Sequence, residues 1–201
     1  MATTLDWTNA RSDAMSQLTV YNENDTDTPI LETRDADEIA RELDTVGVLF
    51  ERWPASHALP ADATPEQIGE AYADDIERLQ QQFGYATWDV IGLHPEHPQK
   101  DAMRAKFLDE HTHSEDEVRF FVDGAGLFTL HIGDKVYATL CEADDLISVP
   151  AGTRHWFDMG DKPHFKVIRL FNNQEGWVAN FTGTEIAKDF RPSGEQMLGQ
   201  G

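Results

Sequence analysis

The chain has 201 residues, which suits one domain, or at most a domain with a small appendage, and is long enough to bury a sizeable core. Acids outnumber bases 37 to 16, for a formal net charge of −21, which argues against nucleic acid or an anionic membrane as partner. A single cysteine, Cys141, excludes an internal disulfide and fits a reducing compartment; with no stretch of transmembrane length and no basic-then-apolar leader, a cytoplasmic location is expected.

Residues 1–17 are polar and aperiodic and read as a flexible extension, residues 18–195 as a single domain, and 196–201 as a tail. LTVY at Leu18 is a short strand, and NENDTDTP a loop. Asp35 to Val46 reads as a helix, with Asp35 as cap, Glu38 three residues on, a stripe of Ile39, Leu43 and Val46, and Gly47 as stop. VLFERW is a strand. Thr64-Pro65 opens a second helix whose stripe is Ile68, Tyr72, Ile76, Leu79 and Phe83, stopped by Gly84. WDVIGL is a strand, HPEHPQ a loop that leaves His94 and His97 at the surface, and Gln99 to Leu108 a short helix. From Glu117 onward the pattern is strands and tight turns. EVRFFV ends at Asp123-Gly124, LFTLHI and KVYATL form a hairpin through Gly133-Asp134, and DLISV, HWFD and FKVIRLF follow. Helices precede strands instead of alternating with them, so a sandwich or barrel is expected and a parallel sheet is not. Cys141 falls in a strand and reads as a buried thiol. His131 reads as a packed or hydrogen-bonded histidine, and His164 as exposed.

The chemistry concentrates in His111 to Gly124, HTHSEDEVRFFVDG. His111 and His113 share one face of a strand, about one pleat apart, so both imidazoles can reach one ion. Ser114-Glu115-Asp116 reads as a turn, after which Glu117 opens the next strand. His155 follows Pro150 and Gly152, a tight entry that brings a distant segment across. Three imidazoles and a carboxylate suit Fe, Ni, Mn or Zn better than Mg or Ca. A six-coordinate ion on this set keeps two positions open for adjacent substrate oxygens. Arg119, two residues past Glu117, points into the same cavity. Arg169 sits in an apolar strand, where its charge needs either an anionic ligand or a salt bridge to one of the acids. Phe107, Phe157 and Trp177 are candidate apolar walls, plain core being the alternative.

His111-x-His113-x3-Glu117-x6-Gly124 resembles the first motif of the cupin superfamily, and Pro150-x-Gly152-x-x-His155 the second. Ala105 and Asp144 stand where these motifs often begin with glycine, and Met159 where the second often has asparagine; these positions bear on turn geometry. HPQKDAMRAKFLDEHTHSEDEVRFFVDGAGLF, CEADDLISVPAGTRHWFDMG and FNNQEGWVANFTG are similar to the bacterial acireductone dioxygenase family, over about Leu18 to Phe190. The resemblance implies a mainly β fold with N-terminal helices, a cupin jelly-roll β-barrel. It implies one Fe2+ or Ni2+ per chain on His111, His113, Glu117 and His155, and a monomer. It implies oxidative cleavage of the enediol 1,2-dihydroxy-3-keto-5-(methylthio)pentene by dioxygen, within methionine salvage. Arg119 and Arg169 match positions around the substrate, Phe107, Phe157 and Trp177 match pocket aromatics, and Asp116 is expected to hold a ligand in its tautomer. The alternatives are a non-catalytic metal-binding cupin, or another metal cupin enzyme such as a zinc isomerase or a thiol dioxygenase.

Overall fold

Side-chain alternation along the strand β6 (Glu117–Ile132) organises the molecule. In its first half Val118 and Phe120 face one way, into a cluster with Ile68, Tyr72, Ile76 and Leu79 of the preceding helices. Phe121 faces the other way, into the core between the sheets, with Phe128, Leu130, Ile147, Val149 and Val167. Glu117 and Arg119 share the inner face with Phe121, so the same alternation that builds two apolar cores aims two charged groups inward. Phe120 stacks on Trp53 with ring centroids 4.0 Å apart. A fully buried side chain of this size contributes about 1.5–3 kcal/mol.

The computed structural model describes residues 16–53, 57, 59, 60, 62–173 and 178–190. Most of the expected N-terminal extension, and the tail, lie outside the described residues. The chain runs β1 (Gln17–Asn22), β2 (Leu31–Thr33), α1 (Ala36–Asp44), β3 (Leu49–Arg52), α2 (Pro65–Ala71), α3 (Ala73–Phe83), β4 (Thr87–Leu93) and α4 (Lys100–Phe107). Then come β5 (His111–Thr112), β6, β7 (Lys135–Glu142), β8 (Asp145–Val149), β9 (Arg154–Asp158), β10 (Phe165–Phe171), β11 (Asn180–Phe181) and α5 (Ile186–Asp189). All described pairings are antiparallel. One layer is ordered β11-β5-β9-β6-β7-β1-β2. The other is ordered β4-β10-β6-β8-β3. The fold is thus mainly β with preceding helices and is a cupin β-sandwich. The jelly-roll expectation is borne out, with one refinement: β6 joins the layers, and among the described residues they do not close a strict barrel. No described helix is long and apolar enough to cross a membrane.

Gly124 corrects the expected turn at Asp123-Gly124. EVRFFV and LFTLHI are one strand of 16 residues. Gly124 takes φ +71, and the register with β10 slips between Lys166 and Val167. The strand therefore bends and changes layer without reversing. A Cβ at Gly124 would lie 1.9 Å from the His164 carbonyl oxygen. At Gly133, φ +66, the chain does reverse and pairs Ile132 with Lys135, as expected.

The second expected helix breaks at Tyr72 into α2 and α3. Its stripe holds as far as Leu79, but Phe83 is 41% exposed. Thr64 and Gln67 form a reciprocal capping box, and Asp35 caps α1 through the Glu38 amide. Asp144, in a position where the motif often has glycine, takes φ 77, the glycine-like region. β2, β11 and α5 are too short to carry a periodic signal.

Candidate metal centre

Strand pairing assembles the histidines. His111 of β5 lies directly opposite His155 of β9 in register, and His155 also faces Leu130 of β6. His113 follows one pleat beyond His111. The Gly152 amide donates to the His113 carbonyl (2.9 Å), which locks the Pro150–Gly152 turn onto the end of β5. All three rings are buried, and their centroids are 4.6–5.2 Å apart. One nitrogen from each lies within 4.8 Å of the others.

Each Nδ1 faces a backbone carbonyl: His111 that of Asp109 (2.7 Å), His155 that of Thr153 (2.8 Å) and His113 that of Val178 (3.2 Å). A carbonyl only accepts, so each Nδ1 carries hydrogen and each Nε2 is left as the coordinating atom. Glu117 Oε2 lies 2.8 Å from His155 Nε2 and 3.3 Å from His113 Nε2. The carboxylate thus lies against the Nε2 atoms of two histidines of the three-imidazole cluster. The donor set N3O fits a borderline divalent ion such as Fe2+ or Ni2+.

The electrostatics agree. Burial and the neighbouring His155 push His111 down to about 4, so its ring is neutral at pH 7. Burial alone would raise Glu117, but Arg119 and the bonds from His113 and His155 hold it well below the usual carboxylate range. Burial lowers His155, but the bond and charge of Glu117 and the Thr153 carbonyl together raise it. An ion placed between them would displace that proton.

Arg119 Nη2 lies 2.8 Å from Glu117 Oε1, and Arg119 Nη1 donates to the Val118 carbonyl (2.9 Å). Burial lowers the Arg119 guanidinium from its ordinary value. Arg169 of β10 is directly opposite Arg119 on β6, so both project from one face. Arg169 grips Asp89 of β4 with two bonds, Nε to Oδ1 at 2.8 Å and Nη2 to Oδ2 at 2.5 Å. A row Glu117, Arg119, Arg169, Asp89 therefore runs across three strands. The salt bridge left open by the sequence is present, and Asp89 is the partner that the reading missed. An acid in the apolar run WDVIGL was its only signal.

Phe107, on α4, places its ring 6.3 Å from that of His111. Phe157 shares the face of His155 and packs on Phe128 at 4.7 Å and Phe165 at 6.0 Å. Trp177 lies outside the described residues. Asp116 is corrected: it accepts from the Ala151 amide (2.9 Å) and lies 3.4 Å from the Tyr85 hydroxyl. It ties the two motif turns together, whereas backbone carbonyls set the ring tautomers. Sequence reasoning also missed Phe181, whose ring lies 5.8 Å from that of His111, and the Val178 carbonyl. A carbonyl leaves no trace in sequence.

Comparison with known proteins gives one consistent result. A family model described as the ARD/ARD' family matches residues 17–179. An acireductone dioxygenase of Pseudomonas aeruginosa is 60% identical over 176 residues, 88% of this chain and 97% of the relative. One of Marinobacter nauticus is 58% identical over 185 residues, 92% of this chain and 99% of the relative. Among solved structures, an acireductone dioxygenase from Bacillus anthracis with a cadmium ion in its active centre superposes with TM-score 0.72 at 30% identity, over 84% of this chain and 99% of that one.

Proposed function

The chain belongs to the ARD/ARD' family, the acireductone dioxygenases, and on that premise we propose that it holds one Fe2+ or Ni2+ on His111, His113, Glu117 and His155 and cleaves 1,2-dihydroxy-3-keto-5-(methylthio)pentene with dioxygen. The observation that carries this reading is the buried cluster of three carbonyl-oriented imidazoles, with the Glu117 carboxylate against two of their Nε2 atoms. When bound, the ion supplies a Lewis-acid anchor for two adjacent oxygens of the enediolate.

The chain's own residues do the rest. Arg119 and Arg169 present two guanidinium groups on the face of Glu117, which favours an anionic substrate and its ionised enediol. Asp89 holds Arg169 in a fixed orientation through two bonds, so the direction of its guanidinium is set before any ligand arrives. Phe107 and Phe157 supply apolar wall and keep water from the reacting carbons. The expected products are 4-methylthio-2-oxobutanoate and formate for the iron form, and 3-methylthiopropionate, formate and carbon monoxide for the nickel form. The chain is read further as a cytoplasmic monomer of one cupin domain over residues 18–195, its charge of −21 disfavouring nucleic acid and anionic membranes.

The test uses protein stripped and reloaded separately with Fe2+ and Ni2+. Acireductone is supplied anaerobically, dioxygen is admitted, and enediol absorbance and carbon monoxide are followed. Rapid loss with either metal, and carbon monoxide from the nickel form alone, is the expected result. A rate no faster than background oxidation with both metals would leave a metal-binding cupin without this activity.

A further inference from the structure

Beside the metal centre lies a buried polar cluster that the proposed chemistry does not use. Glu110, 1% exposed, directly precedes the first metal-binding histidine. Its Oε2 lies 2.6 Å from His131 Nδ1, and its Oε1 accepts from the Thr182 hydroxyl (2.7 Å) and the Thr184 hydroxyl (3.0 Å). His131 Nε2 lies 2.8 Å from Glu23 Oε2, in the β1–β2 connection. Both ring nitrogens thus face carboxylate oxygens, so His131 bridges the Glu110 and Glu23 side chains. The Thr182 amide also donates to the Glu110 carbonyl (3.1 Å).

The position of the threonines gives the cluster its meaning. They directly follow β11, which pairs with β5 through Asn180–Thr112 and Phe181–His111 only. A two-residue strand at an edge, with both residues exposed, is marginal by itself. Yet this segment carries the Val178 carbonyl that orients His113, and Phe181, which flanks His111. Something must hold it down, and the Glu110 carboxylate is the buried group that reaches it.

We propose that Glu110 is a positioning residue of the metal centre: braced by His131 and Glu23, it docks the Val178–Thr184 strap across β5 and so fixes the His113 ring from behind. Glu110 touches neither substrate nor ion; it acts through the strap. The proposal rests on the ligand set given above, and its test separates the two.

The test compares the parent, Glu110→Gln and the double variant Thr182→Val/Thr184→Val, each loaded with Co2+. The threonines are exposed, so their replacement leaves the fold intact even if Glu110→Gln does not fold. In the parent, three strongly shifted, exchangeable imidazole N–H proton signals are expected, one for each Nδ1 that donates to a carbonyl. In the threonine variant one of the three should be lost to solvent exchange while two persist, and Ni2+ affinity should fall about tenfold, the usual scale for a partner behind a ligand. Three unchanged signals and parent-like Ni2+ affinity in the threonine variant would overturn the strap proposal. A parent with no shifted N–H signals would overturn the ligand assignment instead.

Discussion

Arg119 sits between two demands. It pairs with Glu117, and it stands opposite Arg169 across the β6–β10 pair. These roles predict different losses from those of a ligand. His111→Ala removes one of four donor groups, so most of the metal and most of the activity should go together. Arg119→Ala leaves the donor set in place. Its metal content, by elemental analysis, should stay near the parent's while kcat/KM falls about 10²–10³-fold, the scale for one preorganised charge donor. Parent-like turnover would make the arginine structural. Far from the site, Asp145 is fully buried and accepts from Ser16, Arg52 and the Glu142 amide. Burial raises it from 3.8 to about 6, against the pull of Ser16, Glu142 and Arg52 and with a further push from Asp144. A raised acid favours the protonated fold, so its stabilisation is full below the unfolded pKa and is lost as pH rises through about 6. The shift corresponds to about 3 kcal/mol. Urea unfolding at pH 5 and pH 8 should show the parent losing more stability than Asp145→Asn across that interval. Equal losses in both proteins would assign the pH dependence to other groups.

Two glycines of β6 and its hairpin show what an element needs beyond its own sequence. Gly124 and Gly133 both take positive φ, +71 and +66. An alanine at Gly133 would meet nothing within 4 Å, so Gly133→Ala should cost only the left-handed backbone, about 1–2 kcal/mol. At Gly124 the added carbon would lie 1.9 Å from the backbone oxygen of His164, just before β10, so the bend itself must move. Gly124→Ala should lower stability by about 4 kcal/mol or more, or prevent folding. Thermal melts of the two variants give the comparison, and equal shifts in Tm would show that the bend is not rigid. The same pair explains what the sequence made legible. Turn residues marked both sites, and the hairpin at Gly133 followed. The signal at Gly124 reads as the end of a strand, because whether a positive-φ residue ends or bends a strand depends on β10, far away in the chain. The grouping of the proposed ligands was legible for the opposite reason: strand alternation is local, and it places His111 with His113 and Glu117 with Arg119. The Arg169–Asp89 pair, the Glu110 cluster and the Arg104–Asp158 clamp between α4 and β9 at 2.7 Å join residues distant in sequence, and no local pattern announces them.

Across the whole molecule, charge and packing pull in opposite directions. Among the described residues the two larger apolar clusters lie between the β layers and beneath α2 and α3, and a small third one gathers Val136, Trp156 and Ala187. The net charge of −21 works against compaction, because the acids repel one another more closely in the fold than in the open chain. Several acids lie on the helices, such as Asp37 and Glu38 in the first turn of α1 and Asp74 and Asp75 in that of α3. There they gain a little from the helix dipole, but only about 0.3–1 kcal/mol each, and salt weakens that gain too. Repulsion summed over the surface is the larger effect at low salt. Raising NaCl from about 0.01 to 0.1 M shortens the screening length from about 30 to 10 Å and should remove most of the repulsion between acids on different elements. The Tm of the metal-loaded protein should therefore climb steeply over this range and flatten above it. A rise confined to molar salt, and larger for sulfate than for chloride, would instead reflect exclusion of salt from the protein surface. That outcome would mean that the excess acid is borne without measurable cost to the fold.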